Sequence, residues 1–323
     1  DGSGLAVGAP AYGTSPANAG AVYLFRRGSA GWSLVTTLQP ATPVANDQFG
    51  FSVDMSRDGR TLKVSSLRPL NGAGNPVGRT HLYVRPGETW QHSVTLSPYH
   101  SGDECPTVRM SSNGETLIAA CRSGSSFRAV TLRRIGSAWV HVAELPIRGF
   151  KVGQQMALDH HATRLWIYEG TRSTGGESGQ GLLGRYHWTN GEWVLNATQL
   201  GNDDPSWPPA VEFDSAGDNA AWTDFYSATA GAGVIPQNFA GGNQHGAAYL
   251  YRYIPTAIPR HQPRPTVKAP NPDFQDWFGA AMAFSGNGRI FAVGASGEDS
   301  AARGIDGDRA SNDSVDSGAV YLY

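Results

Sequence analysis

Charge is scarce in this chain of 323 residues: Asp, Glu, Lys and Arg make up 16% of it, 27 acidic against 25 basic. The formal net charge is −2 and no run of Lys and Arg forms a basic stripe, which argues against a nucleic-acid partner. No apolar stretch is long enough for a membrane-spanning helix. The short signatures of catalysis are missing too. There is no His-Glu-x-x-His, no Gly-x-Ser-x-Gly, no phosphate loop and no dinucleotide fingerprint. The nine His residues are scattered, and His160-His161 reads as a solvated turn pair. On these absences the chain is expected not to be an enzyme, although sites assembled from distant loops escape such motifs. No leader is visible. Asp1-Gly2 reads as a turn and Tyr321-Leu322-Tyr323 as the end of a strand, so the chain is read as a piece of a longer precursor.

Glycine is abundant (41 residues), and apolar residues make up 40% of the chain. That mix suits short strands joined by tight turns. The strands repeat. An aromatic-Gly segment, Asp47-Gln48-Phe49-Gly50, returns as Asp276-Trp277-Phe278-Gly279. A turn followed by an apolar strand occurs at Asp1-Gly2 into Leu5-Ala6-Val7, Asp58-Gly59 into Leu62-Lys63-Val64, Asn113-Gly114 into Leu117-Ile118-Ala119, and Asn287-Gly288 into Ile290-Phe291-Ala292-Val293. A third segment, Gly20-Ala21-Val22-Tyr23-Leu24-Phe25, returns from Gly246 and from Gly318. A fourth strand opens with Trp32, Trp90, Trp139 and Trp193, each expected to pack between neighbouring sheets. Asp-Gly and Asn-Gly suit two-residue hairpins in which both central residues take φ > 0. Each repeat of four antiparallel strands cannot bury both of its faces alone. Stacking the sheets radially buries them, so the chain is predicted to be an all-β propeller.

The repeat order maps the blades at 1–46 (partial), 47–101, 102–148, 149–204, 205–272 and 273–323 (partial), one domain spanning 1–323. Six blades are represented, and a ring of six or seven is expected, closed by further strands, by self-assembly or by a partner chain.

Phe49-Gly50, Phe278-Gly279, Leu5-Ala6-Val7-Gly8-Ala9-Pro10 and Ala292-Val293-Gly294-Ala295 resemble the FG-GAP repeats of integrin α-subunit propellers. The stretch from Gly297 to Asp308, followed by Ser317-Gly318-Ala319-Val320-Tyr321-Leu322-Tyr323, is closer still to bacterial secreted proteins with such repeats. The resemblance implies a secreted, periplasmic or cell-surface protein engaged in adhesion or recognition. It does not carry over the family's calcium loops. The connections at Asp58-Gly59, Asn113-Gly114 and Asn287-Gly288 lack the spaced oxygen ligands that calcium needs.

Strand alternation puts the short turns at one end of the propeller. The long connections 8–19, 67–78, 170–182, 224–245 and 296–317 lie at the other, where function is expected. Tyr12, Tyr99, Trp207, Phe225, Tyr226, Phe239 and Trp277 are the candidate ligand-binding aromatics of that end, suited to stacking on a carbohydrate or anchoring a protein. Trp277 reads equally well as core packing beside Phe278. Glu298, Asp299, Asp306 and Asp308, with Asp313 and Asp316, form an acidic loop that either binds a cation, with calcium the candidate, or is simply solvated. The expected function is a recognition or adhesion module binding a glycan or protein through the long-loop end. The alternative is a structural propeller unit in a larger surface or filament assembly.

Cys105 and Cys121 flank the Asn113-Gly114 turn. A disulfide between them is predicted, the alternative being two buried free thiols; pairing about that turn sets Cys121 opposite Pro106, one residue out of register, so the bridge requires a small bulge. Closing such a loop contributes roughly 3 kcal/mol and fits an oxidising compartment.

Overall fold

The computed structural model describes residues 3–13, 15–67, 77–96, 103–147, 156–169, 182–200, 210–214, 216–224, 234–235, 246–254, 260–273, 275–302, 307–308 and 311–323. Among these there is no helix, and the strands form six antiparallel sheets, the blades of a six-bladed β-propeller. The chain divides into two compact units, Asp1–Val152 with Asn190–Trp193, and Gly153–Thr189 with Val194–Tyr323.

The first unit holds three blades. Blade 1 is β1 (Gly4–Ala9), β2 (Ala21–Gly28) and β3 (Gly31–Leu38). Blade 2 is β4 (Phe49–Met55), β5 (Thr61–Ser66), β6 (Arg79–Val84) and β7 (Gln91–Leu96). Blade 3 is β8 (Glu104–Met110), β9 (Thr116–Ser123), β10 (Ser126–Ile135) and β11 (Ala138–Ile147).

In the second unit, blade 4 is β12 (Met156–Leu158), β13 (Arg164–Glu169), β14 (Leu182–Thr189) and β15 (Glu192–Leu200), whose first residues belong to the first unit. Blade 5 is β16 (Val211–Phe213), β17 (Asn219–Asp224), β18 (Val234–Ile235), β19 (Ala247–Ile254) and β20 (Arg260–Val267). Here β18 adds a fifth strand outside β20. Blade 6 is β21 (Phe278–Phe284), β22 (Phe291–Ala295) and β23 (Ala319–Leu322).

The turns between first and second strands differ from the expected two-residue form. Gly59, Gly114 and Gly288 are left-handed (φ 64, 75 and 66°), but Asp58, Asn113 and Asn287 are not. Each acidic or amide side chain instead folds back on the turn. Asp58 Oδ1 accepts from Ser56 Oγ (2.6 Å) and from Arg60 N (3.0 Å), while Gly59 N donates to Ser56 O (2.8 Å). Ser111 with Asn113 and Ser285 with Asn287 repeat the plan. The short polar side chain replaces a backbone turn bond, so one left-handed residue suffices. Asn190-Gly191, between β14 and β15, does take φ > 0 at both positions (51 and 88°).

The repeated Gly and Phe-Gly segments meet one another. Phe49 N, at the start of blade 2, donates to Ala19 O of blade 1 (3.0 Å). A Cβ on Gly20 would stand 2.1 Å from Phe49 O, and one on Gly246 would stand 2.1 Å from Phe278 O. Only glycine lets the two backbones come this close. Blade 3 makes the same contact with different residues: Cys105 N donates to Val77 O (2.9 Å), and a Cβ on Gly78 would lie 2.5 Å from Cys105 O. Asp103-Glu104-Cys105-Pro106 therefore stands where Asp47-Gln48-Phe49-Gly50 stands in blade 2. The Cys105–Cys121 disulfide is present, with Cα atoms 4.1 Å apart, and the register slips between Glu104 and Thr107, which is the bulge the pairing requires.

Between blades 1 and 2 the core consists of Val22 and Leu24 against Phe49, Leu62, Val64 and Tyr83, with Trp90 at its margin. Between blades 2 and 3 it is Leu82, Val108, Leu117, Val130 and the two half-cystines, with Trp139 at its margin. Trp193 is buried, and its Nε1 donates to Thr131 Oγ1 of blade 3 (2.8 Å). Trp32 departs from the expected role. It is 48% exposed.

Candidate interaction surface

Each blade has two faces, and register decides which residues share one. In blade 1, Ala6 pairs with Leu24 and Gly8 with Val22; these residues face blade 2. Leu5 pairs with Phe25 and Val7 with Tyr23 on the other face. Blade 6 repeats the first set: Ala292 pairs with Leu322 and Gly294 with Val320. Its opposite face, with Val293, Tyr321 and Met282, packs toward blade 5.

The same positions are treated differently. Val22 and Leu24 are 0% and 2% exposed, whereas Val320 and Leu322 are each 69% exposed. Leu62 and Val64 are fully buried, whereas Leu5 and Val7, their repeat equivalents, are 41% and 40% exposed. The open face of blade 6 borders a groove of about 910 Å³, whose lining includes Ala281, Gly294, Val320 and Leu322, with Ser296 and Glu298 as polar members. An apolar concavity with a few converging polar groups suits binding.

The polar end of the groove is built by the acidic loop. Glu298 is buried, and its carboxylate accepts from Asn271 Nδ2 (3.2 and 3.1 Å), Ser300 N (3.2 Å) and Tyr321 Oη (2.7 Å). The loop is thereby tied to β23. Asp299 Oδ1 accepts from Asp316 N (2.8 Å), and Asp308 contributes its carbonyl to Ser300 Oγ (2.7 Å). Burial, then the charges of Glu298, Asp273 and Asp299, push the Asp276 carboxyl up to about 6, against one backbone bond from Asp273. Burial and the bond to Glu298 push Tyr321 upward.

Of the predicted cation ligands, Asp306 lies outside the described residues. Among the described residues, the sole trio of candidate metal-ligand atoms within 4.8 Å of one another is Asp103, Cys105 and Cys121, whose sulfurs are bonded to each other.

Of the predicted aromatics, Tyr99, Trp207, Phe225, Tyr226 and Phe239 also lie outside the described residues. Tyr12 is exposed and meets Tyr23 edge to face, with ring centroids 6.1 Å apart. Trp277 is half-buried in a left-handed conformation (φ 52°), and a Cβ on Gly297 would lie 3.3 Å from its Cε3. Gln48 takes the same conformation at the equivalent position (φ 55°), so the geometry belongs to the repeat. Tyr12 falls in the first unit and Trp277 in the second.

Sequence reasoning missed a polar row across blade 2, running from Asp47 just before β4 through Ser66 of β5 and His81 of β6 to Thr95 and His92 of β7. Ser66 Oγ donates to Asp47 Oδ2 (3.0 Å) and lies 3.3 Å from His81 Nε2, while Thr95 Oγ1 is 3.0 Å from His81 Nδ1 and 2.9 Å from His92 Nε2. Burial, then the neighbouring charges of His92 and Arg79, push His81 down to about 4. Burial also raises Asp47, whose Oδ1 is buried without a hydrogen-bond partner among the described residues. The row contains Ser, His and Asp, but the Ser66 proton points at the carboxylate and not at the imidazole. It ties β5, β6, β7 and the approach to β4 together rather than activating a nucleophile. The residues are far apart in sequence, and no local signal marks them.

No family model and no curated protein matches the chain. Solved structures do. A periplasmic gluconolactonase from Pseudomonas aeruginosa matches with a TM-score of 0.54 at 17% identity, over 90% of this chain and 75% of that one. A hydrazine synthase from Kuenenia stuttgartiensis matches with a TM-score of 0.51 at 13% identity, over 86% and 68% of the two chains. Likeness at this identity speaks to fold alone. It nonetheless corrects the expectation that the chain is not an enzyme: a protein named for lactone hydrolysis uses this fold, so missing short motifs do not exclude catalysis.

Proposed function

We propose that this chain is an extracellular or cell-surface recognition module of FG-GAP type, and that it binds a protein through the open face of blade 6 and the acidic loop beside it. The carrying observation is the exposure of Val320 and Leu322 at positions whose equivalents in blade 1 are buried. An apolar centre with Ser296, Glu298 and Ser300 at its polar end has the anatomy of a protein interface. The buried disulfide supports an oxidising compartment. The resemblance of Phe49-Gly50 and Phe278-Gly279 to FG-GAP repeats supports an adhesive role.

The test is to probe arrays of glycans and of extracellular proteins with the native chain and with Leu322→Lys. Protein binding that Leu322→Lys abolishes is expected. Binding confined to glycans and indifferent to Leu322→Lys overturns the reading.

One observation favours a second reading, lactone hydrolysis. Asp276, held near 6, titrates close to the range in which a carboxyl serves general acid–base chemistry. Turnover of gluconolactone that is lost in Asp276→Asn is its expected signature, and hydrolysis no faster than in buffer rejects it.

A further inference from the structure

The dipeptide Asn-Gly occurs at Asn71-Gly72, Asn113-Gly114, Asn190-Gly191 and Asn287-Gly288. The first pair lies outside the described residues. We propose that Asn190 is a site of spontaneous covalent modification, and that the fold shields Asn113 and Asn287 from the same reaction.

The reaction needs no catalyst beyond the neighbouring residue. Gly191 N attacks Cγ of Asn190, and the new C–N bond closes a succinimide ring. The Cγ–Nδ2 bond breaks, and the amide nitrogen leaves as ammonia with the proton that Gly191 N gives up. Water then opens the ring at either carbonyl, leaving an aspartate or an isoaspartate. Glycine favours the attack because it carries no Cβ and its backbone turns freely. The pairs at Asn113 and Asn287 share that advantage, so only their surroundings separate them from Asn190.

Asn113 and Asn287 are held at both ends of the bond that would form. Asn113 Oδ1 accepts from Ser111 Oγ (2.7 Å) and Glu115 N (3.0 Å), while Gly114 N donates to Ser111 O (2.8 Å). Asn287 Oδ1 accepts from Ser285 Oγ (2.9 Å) and Arg289 N (3.2 Å), while Gly288 N donates to Ser285 O (2.8 Å). These bonds fix the carboxamide and engage the nucleophile. The neighbouring blade closes in as well. A Cβ on Gly114 would stand 3.0 Å from Ser56 Cβ and Thr61 Cβ, and one on Gly288 would stand 2.4 Å from Asp214 Oδ2 and Asn219 Nδ2. The peptide plane cannot swing toward Cγ unless the turn first opens.

Asn190-Gly191 joins β14 to β15, the outermost strand of blade 4. Both residues are exposed, and a Cβ on Gly191 would meet nothing within 4 Å. This turn is made by left-handed backbone (φ 51 and 88°) rather than by the side chain, and no hydrogen bond among the described residues holds the Asn190 carboxamide. The route to succinimide is therefore open. An isoaspartate runs the main chain through the side-chain carbons and lengthens a turn that fits only two residues. Trp193 follows closely, and its bond to Thr131 Oγ1 (2.8 Å) is the contact that the longer turn disturbs.

The test is site-resolved peptide mapping of the native chain aged in neutral buffer, beside the same chain aged in denaturant with its disulfide reduced. In denaturant the pairs at Asn113, Asn190 and Asn287 are expected to convert at similar rates. In the native chain Asn190 is expected to convert faster than Asn113 and Asn287 by about tenfold or more, because the held pairs react only through local opening. Separated by charge, the isoaspartyl form is expected to exchange backbone hydrogens faster over β15 than the native chain; unchanged exchange there overturns the consequence drawn for Trp193. A native chain in which Asn113 or Asn287 keeps pace with Asn190, or a ranking already present in denaturant, overturns the proposal.

Discussion

Blades 1 and 6 carry the same third segment, Gly-Ala-Val-Tyr-Leu, and use it in opposite ways. In blade 1, Val22 and Leu24 disappear beneath blade 2; in blade 6, Val320 and Leu322 face outward. The difference lies in the neighbour and not in the strand. A blade is half of two interfaces, and its apolar residues become core only where a second sheet arrives.

Truncation measures this difference most directly. Leu24→Ala is expected to destabilise the first unit by about 3 kcal/mol, whereas Leu322→Ala should cost the monomer less than about 0.5 kcal/mol. Chemical denaturation followed by tryptophan fluorescence reads both. Equal losses would mean that Leu322 is buried in solution.

A second contrast is between Cys105 and Phe49, which fill one structural position by different means. Cys121→Ala opens the loop, with an expected loss of about 3 kcal/mol that added reductant does not deepen. The native protein in reductant should approach the variant once its buried sulfurs are reached. A variant as stable as the native protein would show that the bridge only fills space.

Glycines sharpen the comparison further. Gly8→Ala puts a methyl group 2.0 Å from Gly50 O and is expected to cost about 2 kcal/mol or more, since the obstacle is backbone. Gly294→Ala meets nothing closer than 3.7 Å and is expected to leave the melting temperature of the monomer within a few degrees of native. The order of the two melting temperatures is the check.

The smallest expected effect is on pH dependence, where the two units respond with opposite sign. His81 in the first unit is held near 4 against an ordinary 6.5. As pH falls through that window, the unfolded chain takes a proton that folded blade 2 refuses, so stability is lost toward acid. Asp276 in the second unit is held near 6 against an ordinary 3.8. Its contribution is fully present below 3.8 and is lost as pH rises through 6. Hydrogen exchange at pH 4.5 and 6.5 should show blade 2 opening more readily at the lower value, by on the order of 1 kcal/mol, and blade 6 the reverse. His81→Gln and Asp276→Asn should each remove the dependence of their own unit. A common response of both units would reject this assignment.

The repeats made the fold legible, because period-two strands and their turn residues lie within short windows. Turn type was read less well. Asp58 and Asn113 satisfy the turn with their side chains, a choice that composition does not distinguish from a left-handed backbone. The match between Cys105-Pro106 and Phe49-Gly50 was invisible because the two share no side chain, only the backbone contact to the preceding blade. The candidate surface was harder still. Val320 and Val22 are one residue type in one motif, so nothing local separates covered from uncovered. The row from Asp47 to His92 gathers residues from across blade 2, and only tertiary pairing brings them together. Of the predicted aromatics, Tyr12 and Trp277 fall among the described residues, and they lie in different units.

The Gly20–Phe49 and Gly78–Cys105 contacts share a further property: each is made by main-chain atoms across an unsubstituted α-carbon. A joint of that kind has almost no stake in which side chain follows. Duplicated units can then diverge freely in sequence while the hinge between them keeps its geometry. That accounts for a phenylalanine and a half-cystine serving one position, and it lets copying errors accumulate in the middle of the chain without dismantling it.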